Sequence, residues 1–548
     1  MGDSLVIGET IQFGENNVNQ YLAIPHAEPP VGNLRFKPTV PLKGFPQILQ
    51  AKYMPPACHQ YTDMPFPWYF NDPIKSENCL YLNIWTPADA SPQNPKPVLF
   101  WIPSGQFRFG STTLSFYSGL VLSSEGNVIV VTIGYRLGSF GFLYTSTDDA
   151  PGNAGLWDIL TGLRWVKNNI GYFGGDPSQI TIGGESSSAV IVGRITESPL
   201  VTWLYSRLIM ESGSPANLQT EFSGINLKQS KELAKKLGCA TEDIGDLQVN
   251  QCLKNVPADV LEKTEYEVFP GRGGDFYPIY GDELNPTNPR RDLTILESDK
   301  LGFFGDKNTP FTREIALDAT NKFIEFHPDL QSAEKYYVPA LDLESVLKNK
   351  VYERVPDDDT HLFRHDIYTG FGDLDLVCPT VYFADQCAKQ GNDVYYYNFV
   401  HRYNSSPFAP WMGVTHFSEL QFVFGLPFLY TSYYTEEERK LSRQIISYWT
   451  NFVKYGQPDP EWPTYTEDNP IYKVIGSENA PENCIQLRLT TKQLATPHNA
   501  GTPLLLRNPL EDSLLVYDSD YASDLVPCSL RLPFFYSFRE AADNLLAN

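Results

Sequence analysis

No apolar run in this chain reaches the roughly 18 residues that a membrane-spanning helix needs, so no segment is expected to cross a bilayer. Basic residues are scarce beside acidic ones, 42 Lys and Arg against 65 Asp and Glu, giving a formal net charge of −23. A surface of that sign repels phosphate backbones and anionic lipid, which argues against nucleic acid or membrane as the main partner. Cys-x-x-Cys pairs are absent, so no metal site is expected, and no cofactor is called for. The first residues, Met1 to Val6, lack the basic and apolar regions of a secretory signal. They also lack the serine or threonine that myristoylation needs at position 6. Either a signal has been removed or the protein is intracellular. Internal repeats, low-complexity tracts and long linkers are missing too. Residues 1–548 are therefore read as one large domain, although length alone would suggest about three or four.

What the chain does contain is ample apolar material, 42% of its residues, with 14% aromatics. Cys79 to Trp85 alternates with period two, as a half-buried strand should. Val98 to Ile102 and Val128 to Ile133 are continuous apolar runs of the kind buried on both faces in a parallel sheet. Leu156, Ile159, Leu160, Leu163 and Val166 recur at helical spacing up to about Asn169. Thr435 and Glu438 form a capping box that opens a helix carrying Leu441, Ile445, Tyr448 and Phe452, ended by Gly456 and Pro458. Strands alternating with helices predict an α/β fold around a large, mostly parallel sheet flanked by helices. Among eight cysteines, the close pairs Cys58/Cys79 and Cys239/Cys252 read as disulfides closing short loops. They favour an oxidising compartment and a secretory route; eight buried thiols is the alternative. The sequon Asn404-Ser405-Ser406 agrees with secretion.

The run Ile180-Thr181-Ile182 ends in Gly183-Gly184 and continues Glu185-Ser186-Ser187-Ser188-Ala189-Val190. A strand that turns sharply into a helix at Gly-x-Ser raises one hydroxyl at the turn, a nucleophile elbow. Ser188 stands where the last glycine of that pattern belongs. A Gly-x-Ser triplet alone is more often an ordinary turn, so the neighbouring sequence decides.

Those neighbours are Leu22-Ala23-Ile24-Pro25, Glu28-Pro29-Pro30-Val31-Gly32-Asn33-Leu34-Arg35-Phe36 and Ser76-Glu77-Asn78-Cys79-Leu80-Tyr81-Leu82-Asn83-Ile84-Trp85. Gly134-Tyr135-Arg136-Leu137-Gly138, Phe173-Gly174-Gly175-Asp176-Pro177, Glu211-Ser212-Gly213-Ser214-Pro215 and Gly413-Val414-Thr415-His416 follow in order. Over most of its length the chain resembles the type-B carboxylesterase/cholinesterase family of α/β-hydrolases. That resemblance implies a central sheet of about eleven strands and a deep gorge leading to a serine. It also implies disulfides Cys58–Cys79 and Cys239–Cys252, with Cys378–Cys528 as a third and no counterpart for Cys387 or Cys484.

Position by position, the resemblance puts the nucleophile at Ser186 and the general base at His416. Backbone donors for the oxyanion fall at Gly105, Gln106 and Ser187, and supporting polar positions at Glu185 and Ser212. The plain alternative for the last two is buried polar residues satisfying hydrogen bonds. Two departures stand out. Aligned on Gly302, Leu301 occupies the place of the family's acid, and Asp299 or Glu297 are the substitutes if the loop is re-registered. Disabling the acid of a serine protease costs about 10⁴ in rate. In addition, Pro103-Ser104-Gly105-Gln106-Phe107 replaces the family's glycine-rich oxyanion loop, and one lost donor costs roughly 2.7–4 kcal/mol. Trp68, Tyr69, Phe303 and Trp411 are candidate walls of the substrate gorge. The expectation is a serine hydrolase or acyl-transfer enzyme for a bulky hydrophobic ester, with weakened hydrolysis. Its rivals are a non-hydrolytic enzyme using His416 for cyclisation, elimination or isomerisation, and a non-catalytic binding protein.

Overall fold

The computed structural model describes residues 4–61, 74–217, 222–240, 247–269, 276–286, 376–408, 413–466, 468–476 and 485–486. Among these residues seven strands form the central sheet: β1 (Glu9–Phe13), β2 (Asn16–Pro25), β3 (Tyr81–Pro87), β4 (Lys96–Ile102), β5 (Ile129–Ile133), β6 (Gly175–Glu185) and β7 (Arg207–Glu211). They lie in the order β7-β6-β4-β5-β3-β2-β1. The expected mostly parallel sheet is mixed among these residues. Pairs β7/β6, β6/β4 and β4/β5 run parallel, whereas β5/β3, β3/β2 and β2/β1 run antiparallel. Only the Glu9–Pro25 hairpin has a connection short enough to demand its antiparallel pairing. A separate sheet joins β8 (Tyr396–Phe399), β9 (Ile471–Ile475) and β10 (Ile485–Gln486).

Alternation along the strands divides the core into two layers. Val98, Phe100 and Ile102 of β4, with Ile129, Val131 and Ile133 of β5, face one side. There they meet Leu156, Ile159, Leu160, Leu163 and Val166 of helix α1 (Ala154–Asn169) and Val190, Ile191 and Ile195 of α2 (Ser187–Thr196). Leu99 and Trp101 of β4 and Val130 of β5 face the other side. They pack beneath Leu420, Phe422 and Val423 and beneath helix α3 (Glu436–Tyr455), through Leu441, Ile445, Tyr448, Trp449 and Val453. Period-two strands sandwiched between 3.6-period helices are what the sequence pattern demands.

Both close cysteine pairs are disulfides, Cys58–Cys79 and Cys239–Cys252, as befits a chain that folds in an oxidising compartment. Cys387 is a free thiol, and Cys484 and Cys528 lie outside the described residues. Among the described residues no helix is long and apolar enough to cross a membrane.

The capping box forms as expected. Thr435 Oγ1 accepts from the Glu438 amide at 3.2 Å, and Glu438 Oε2 accepts from the Thr435 amide at 2.7 Å. Gly456 closes the helix in the left-handed region at φ 77°. Thr435→Ala removes one of these two bonds and is predicted to cost about 1 kcal/mol. A lowered thermal unfolding midpoint with unchanged far-UV circular dichroism is the expected readout.

Candidate active site

Three neighbouring parallel strands end together. β4 leads into Pro103-Ser104-Gly105-Gln106-Phe107, β6 into Ser186, and β7 into Ser212. The crevice beyond the carboxyl ends of such strands is where open α/β sheets place ligands. Ser186 sits at the turn with φ 55° and ψ −124°, a region that non-glycine residues occupy only when their surroundings impose it. Here the imposition is visible. The Ser186 amide donates to Glu211 O at 2.8 Å, and the Ser186 carbonyl accepts from Val190 N at 3.1 Å. A Cβ at Gly184 would come within 2.8 Å of the Ser188 backbone, and one at Gly213 within 2.6 Å of Ser186 O. Only glycine lets the strand, the turn and the β7 loop approach this closely.

Ser188 replaces the pattern's last glycine with a contact of its own. Its hydroxyl donates to Pro103 O at 2.7 Å, and the Tyr135 hydroxyl donates to the same carbonyl at 3.0 Å. The elbow helix is thus tied to the β4 loop. That loop carries two consecutive residues in the left-handed region, Gln106 at φ 55° and Phe107 at φ 61°. Gly138 N donates to Phe107 O at 2.7 Å, while Gln60 clamps the loop's far end through both the amide and the carbonyl of Gly110. The Gln106 side-chain carbonyl is buried with no hydrogen-bond donor among the described residues.

His416 reaches the elbow from the opposite layer. Phe417 beside it takes φ 75° and packs its ring on Phe116 and Tyr117, and Thr415 Oγ1 and Ser418 Oγ share a 2.9 Å hydrogen bond. This conformation brings His416 Nε2 to 3.1 Å from Glu185 Oε1, with the Glu185 side chain fully buried. The contact is an ion-pair distance without hydrogen-bond alignment, since neither Glu185 oxygen meets an aligned donor among the described residues. Glu185 precedes Ser186 in the chain, so His416 lies against the residue that adjoins the elbow serine.

Beneath them lie three buried carboxyl groups. Glu211 accepts from the Trp449 indole at 2.6 Å, and Glu419 accepts from Ser212 Oγ at 3.3 Å. Burial pushes all three well above the usual carboxylate range, Glu419 to about 7. Repulsion adds to this, from Glu419 and Glu211 on Glu185 and from Glu419 on Glu211, while the nearby Ser104 hydroxyl tempers Glu185. Tyr117 and Tyr397 face the same cluster and their phenols are raised by burial and by the carboxylates. Burial and mutual repulsion thus favour the neutral form of acids sharing a buried floor.

A family model described as the Carboxylesterase family matches residues 4–496. The chain belongs to the carboxylesterase family. Its α/β-hydrolase fold and a hydrolase-like function follow from that membership. Acetylcholinesterase-1 of Trittame loki is 35% identical over 520 residues, covering 87% of this chain and 91% of that protein. Acetylcholinesterase of Bungarus fasciatus is 34% identical over 504 residues, covering 86% and 82%.

In this carboxylesterase-family chain the structure gathers Ser186, Ser187, Glu185, Gly105, Gln106 and His416, and it connects Ser212 to them through Glu419. Trp68, Tyr69, Glu297, Asp299, Leu301, Phe303 and Trp411 lie outside the described residues. Sequence reasoning passed over Glu211 and Glu419 as members of the site. Their signal was present: a glutamate ends the strand before Ser212, and another follows His416 by one helical turn. A cleft of about 470 Å³ lined by His26, Lys43, Phe45, Arg164 and Trp165 shares no residue with the elbow, its loops or His416.

The raised carboxyls make stability depend on pH with a defined sign. A carboxyl whose folded pKa exceeds its unfolded value favours the fold fully below the unfolded value, 4.5 for Glu419, and that contribution is lost as pH rises through about 7. The thermal midpoint is therefore predicted to fall between those two pH values. Glu419→Gln, neutral throughout, should flatten that slope; an unchanged slope would contradict the assignment.

Proposed function

We propose that this protein cleaves, or transfers the acyl group of, a bulky hydrophobic carboxylic ester through Ser186 and His416. The observation that carries the reading is the approach of His416 to within 3.1 Å of the Glu185 carboxyl, one residue from a serine held on a strained elbow. In the reaction, His416 takes the proton of Ser186 Oγ as the oxygen attacks the ester carbonyl. The developing oxyanion faces the amides of Gly105, Gln106 and Ser187. Collapse expels the alcohol, which receives the proton from His416, and water or a second alcohol then takes the acyl group by the same steps reversed.

Leu301 stands where the family's acid belongs, and a hydrocarbon can neither fix the tautomer of His416 nor stabilise its cation. Glu185 is the carboxyl seen against the ring, and it is buried and shifted toward neutrality. That supports slow hydrolysis, since a neutral acid stabilises an imidazolium less than an anion does.

The test combines a fluorophosphonate probe with a panel of esters that includes acetylcholine, the ester named by both relatives. Probe attached at Ser186, and loss of turnover by a factor on the order of 10⁴ or more in Ser186→Ala and His416→Ala, is the expected result. Leu301→Glu should raise kcat on the preferred bulky ester. Turnover surviving in Ser186→Ala but not in His416→Ala would instead mark a non-hydrolytic enzyme. Absence of labelling and turnover, with ligand binding unaffected by either change, would mark a binding protein.

A further inference from the structure

The residue after the nucleophile carries a hydroxyl whose position bears on the same chemistry. Ser187 Oγ accepts from the Gly105 amide at 3.4 Å and from the Phe107 amide at 3.4 Å, and it lies 3.1 Å from Ser104 Oγ. A hydroxyl oxygen has two lone pairs and one proton. With both lone pairs turned to amides, its proton is left for Ser104 Oγ. Ser104 is held in turn by its own amide, which donates to the Tyr117 hydroxyl at 3.0 Å. Ser187 is buried, so water does not compete strongly for these donors. Gly105 is one of the residues whose amide should serve the oxyanion.

We infer that the Ser187 hydroxyl is a built-in occupant of the oxyanion cradle, drawing the Gly105 and Phe107 amides onto a neutral oxygen and holding down the reactivity of Ser186 toward esters. The inference rests on the esterase reading above and deepens it. A donor contributes to catalysis only as far as it binds the transition state better than the ground state. An amide already bonded to Ser187 Oγ must exchange that bond for one to the oxyanion, so part of its contribution is cancelled. Both bonds are long and weak, which makes the occupant displaceable by a full negative charge and poorly displaceable by a ground-state carbonyl. The substrates best able to take over the cradle are therefore activated esters and electrophiles whose tetrahedral adduct concentrates charge on one oxygen, such as aryl esters and trifluoromethyl ketones. The Ser187 hydroxyl acts here by positioning, through the amides it holds, apart from the Ser187 amide that faces the oxyanion.

The experiment compares wild type, Ser187→Ala and Ser187→Thr in three measurements: fluorophosphonate labelling rate at Ser186, steady-state kinetics on an aryl ester, and inhibition by an aryl trifluoromethyl ketone. Removing an oxyanion donor costs about 10²–10³ in rate; releasing amides held by weak bonds should return about tenfold. Ser187→Ala is expected to label about tenfold faster, to raise kcat with KM little changed, and to bind the ketone about tenfold more tightly. Ser187→Thr keeps the oxygen, so it should show neither the faster labelling nor the tighter ketone binding of Ser187→Ala. A merely structural role for Ser187 would lower kcat or shift KM, and would not tighten the ketone. If wild type labels at Ser186 and Ser187→Ala is no faster and binds the ketone no better, the inference is overturned while the esterase reading stands. If neither protein labels, both fall.

Discussion

The turn at Ser186 is the constraint on which the rest of the site depends. A non-glycine residue at φ 55° and ψ −124° carries strain of order 1–3 kcal/mol, so the surrounding structure must over-determine it. It does so from three directions. The β7 carbonyl of Glu211 takes the Ser186 amide, the first turn of α2 takes its carbonyl, and the bare Cα atoms of Gly184 and Gly213 let the backbones close in. Each restraint comes from a different element, and all three elements are fixed by the two apolar layers on either side of the sheet. The hydrophobic core therefore does more than stabilise the fold: it supplies the force that keeps one hydroxyl raised at the ends of the strands.

A second tension runs through the floor of the site. Glu185, Glu211 and Glu419 are buried together, and burial, with repulsion acting on Glu185 and Glu211, drives each toward its neutral form. His416 approaches only the first of them. Carboxyls shifted toward the neutral form can hold hydrogen bonds, such as Trp449 to Glu211 and Ser212 to Glu419, at less than the full cost of buried anions. In the proposed reaction the same shift limits what Glu185 offers His416.

Much of this was legible in residue order because the deciding interactions are local. The apolar run into Gly183-Gly184, the period-two strand before Pro87, the helical spacing of Leu156 to Val166 and the Thr435/Glu438 capping box each report a conformation made by near neighbours. Strand direction was less legible: the continuous apolar runs of β4 and β5 fit their parallel pairing, yet β5 also pairs antiparallel with β3. Strand β3, expected to be half-buried from its alternation, is buried on both faces because the sheet is covered on both sides. Least legible were contacts between loops far apart in sequence. Ser104 and Ser187 are 83 residues apart, and nothing in either segment announces that their hydroxyls meet. Glu211 and Glu419 were visible as residues, but their membership in one buried cluster exists only once β7 and the His416 loop have been brought under the elbow.

The proposed chemistry requires that the hydroxyl at the elbow become acylated. Intact-mass spectrometry of protein mixed with an aryl ester and quenched in acid within milliseconds to seconds tests this directly. The proposed reaction predicts a mass increase equal to one acyl group, mapped by peptide digestion to Ser186 and decaying as the acyl-enzyme is hydrolysed. Ester consumption with no acyl adduct at any time, or an adduct on a residue other than Ser186, would contradict it.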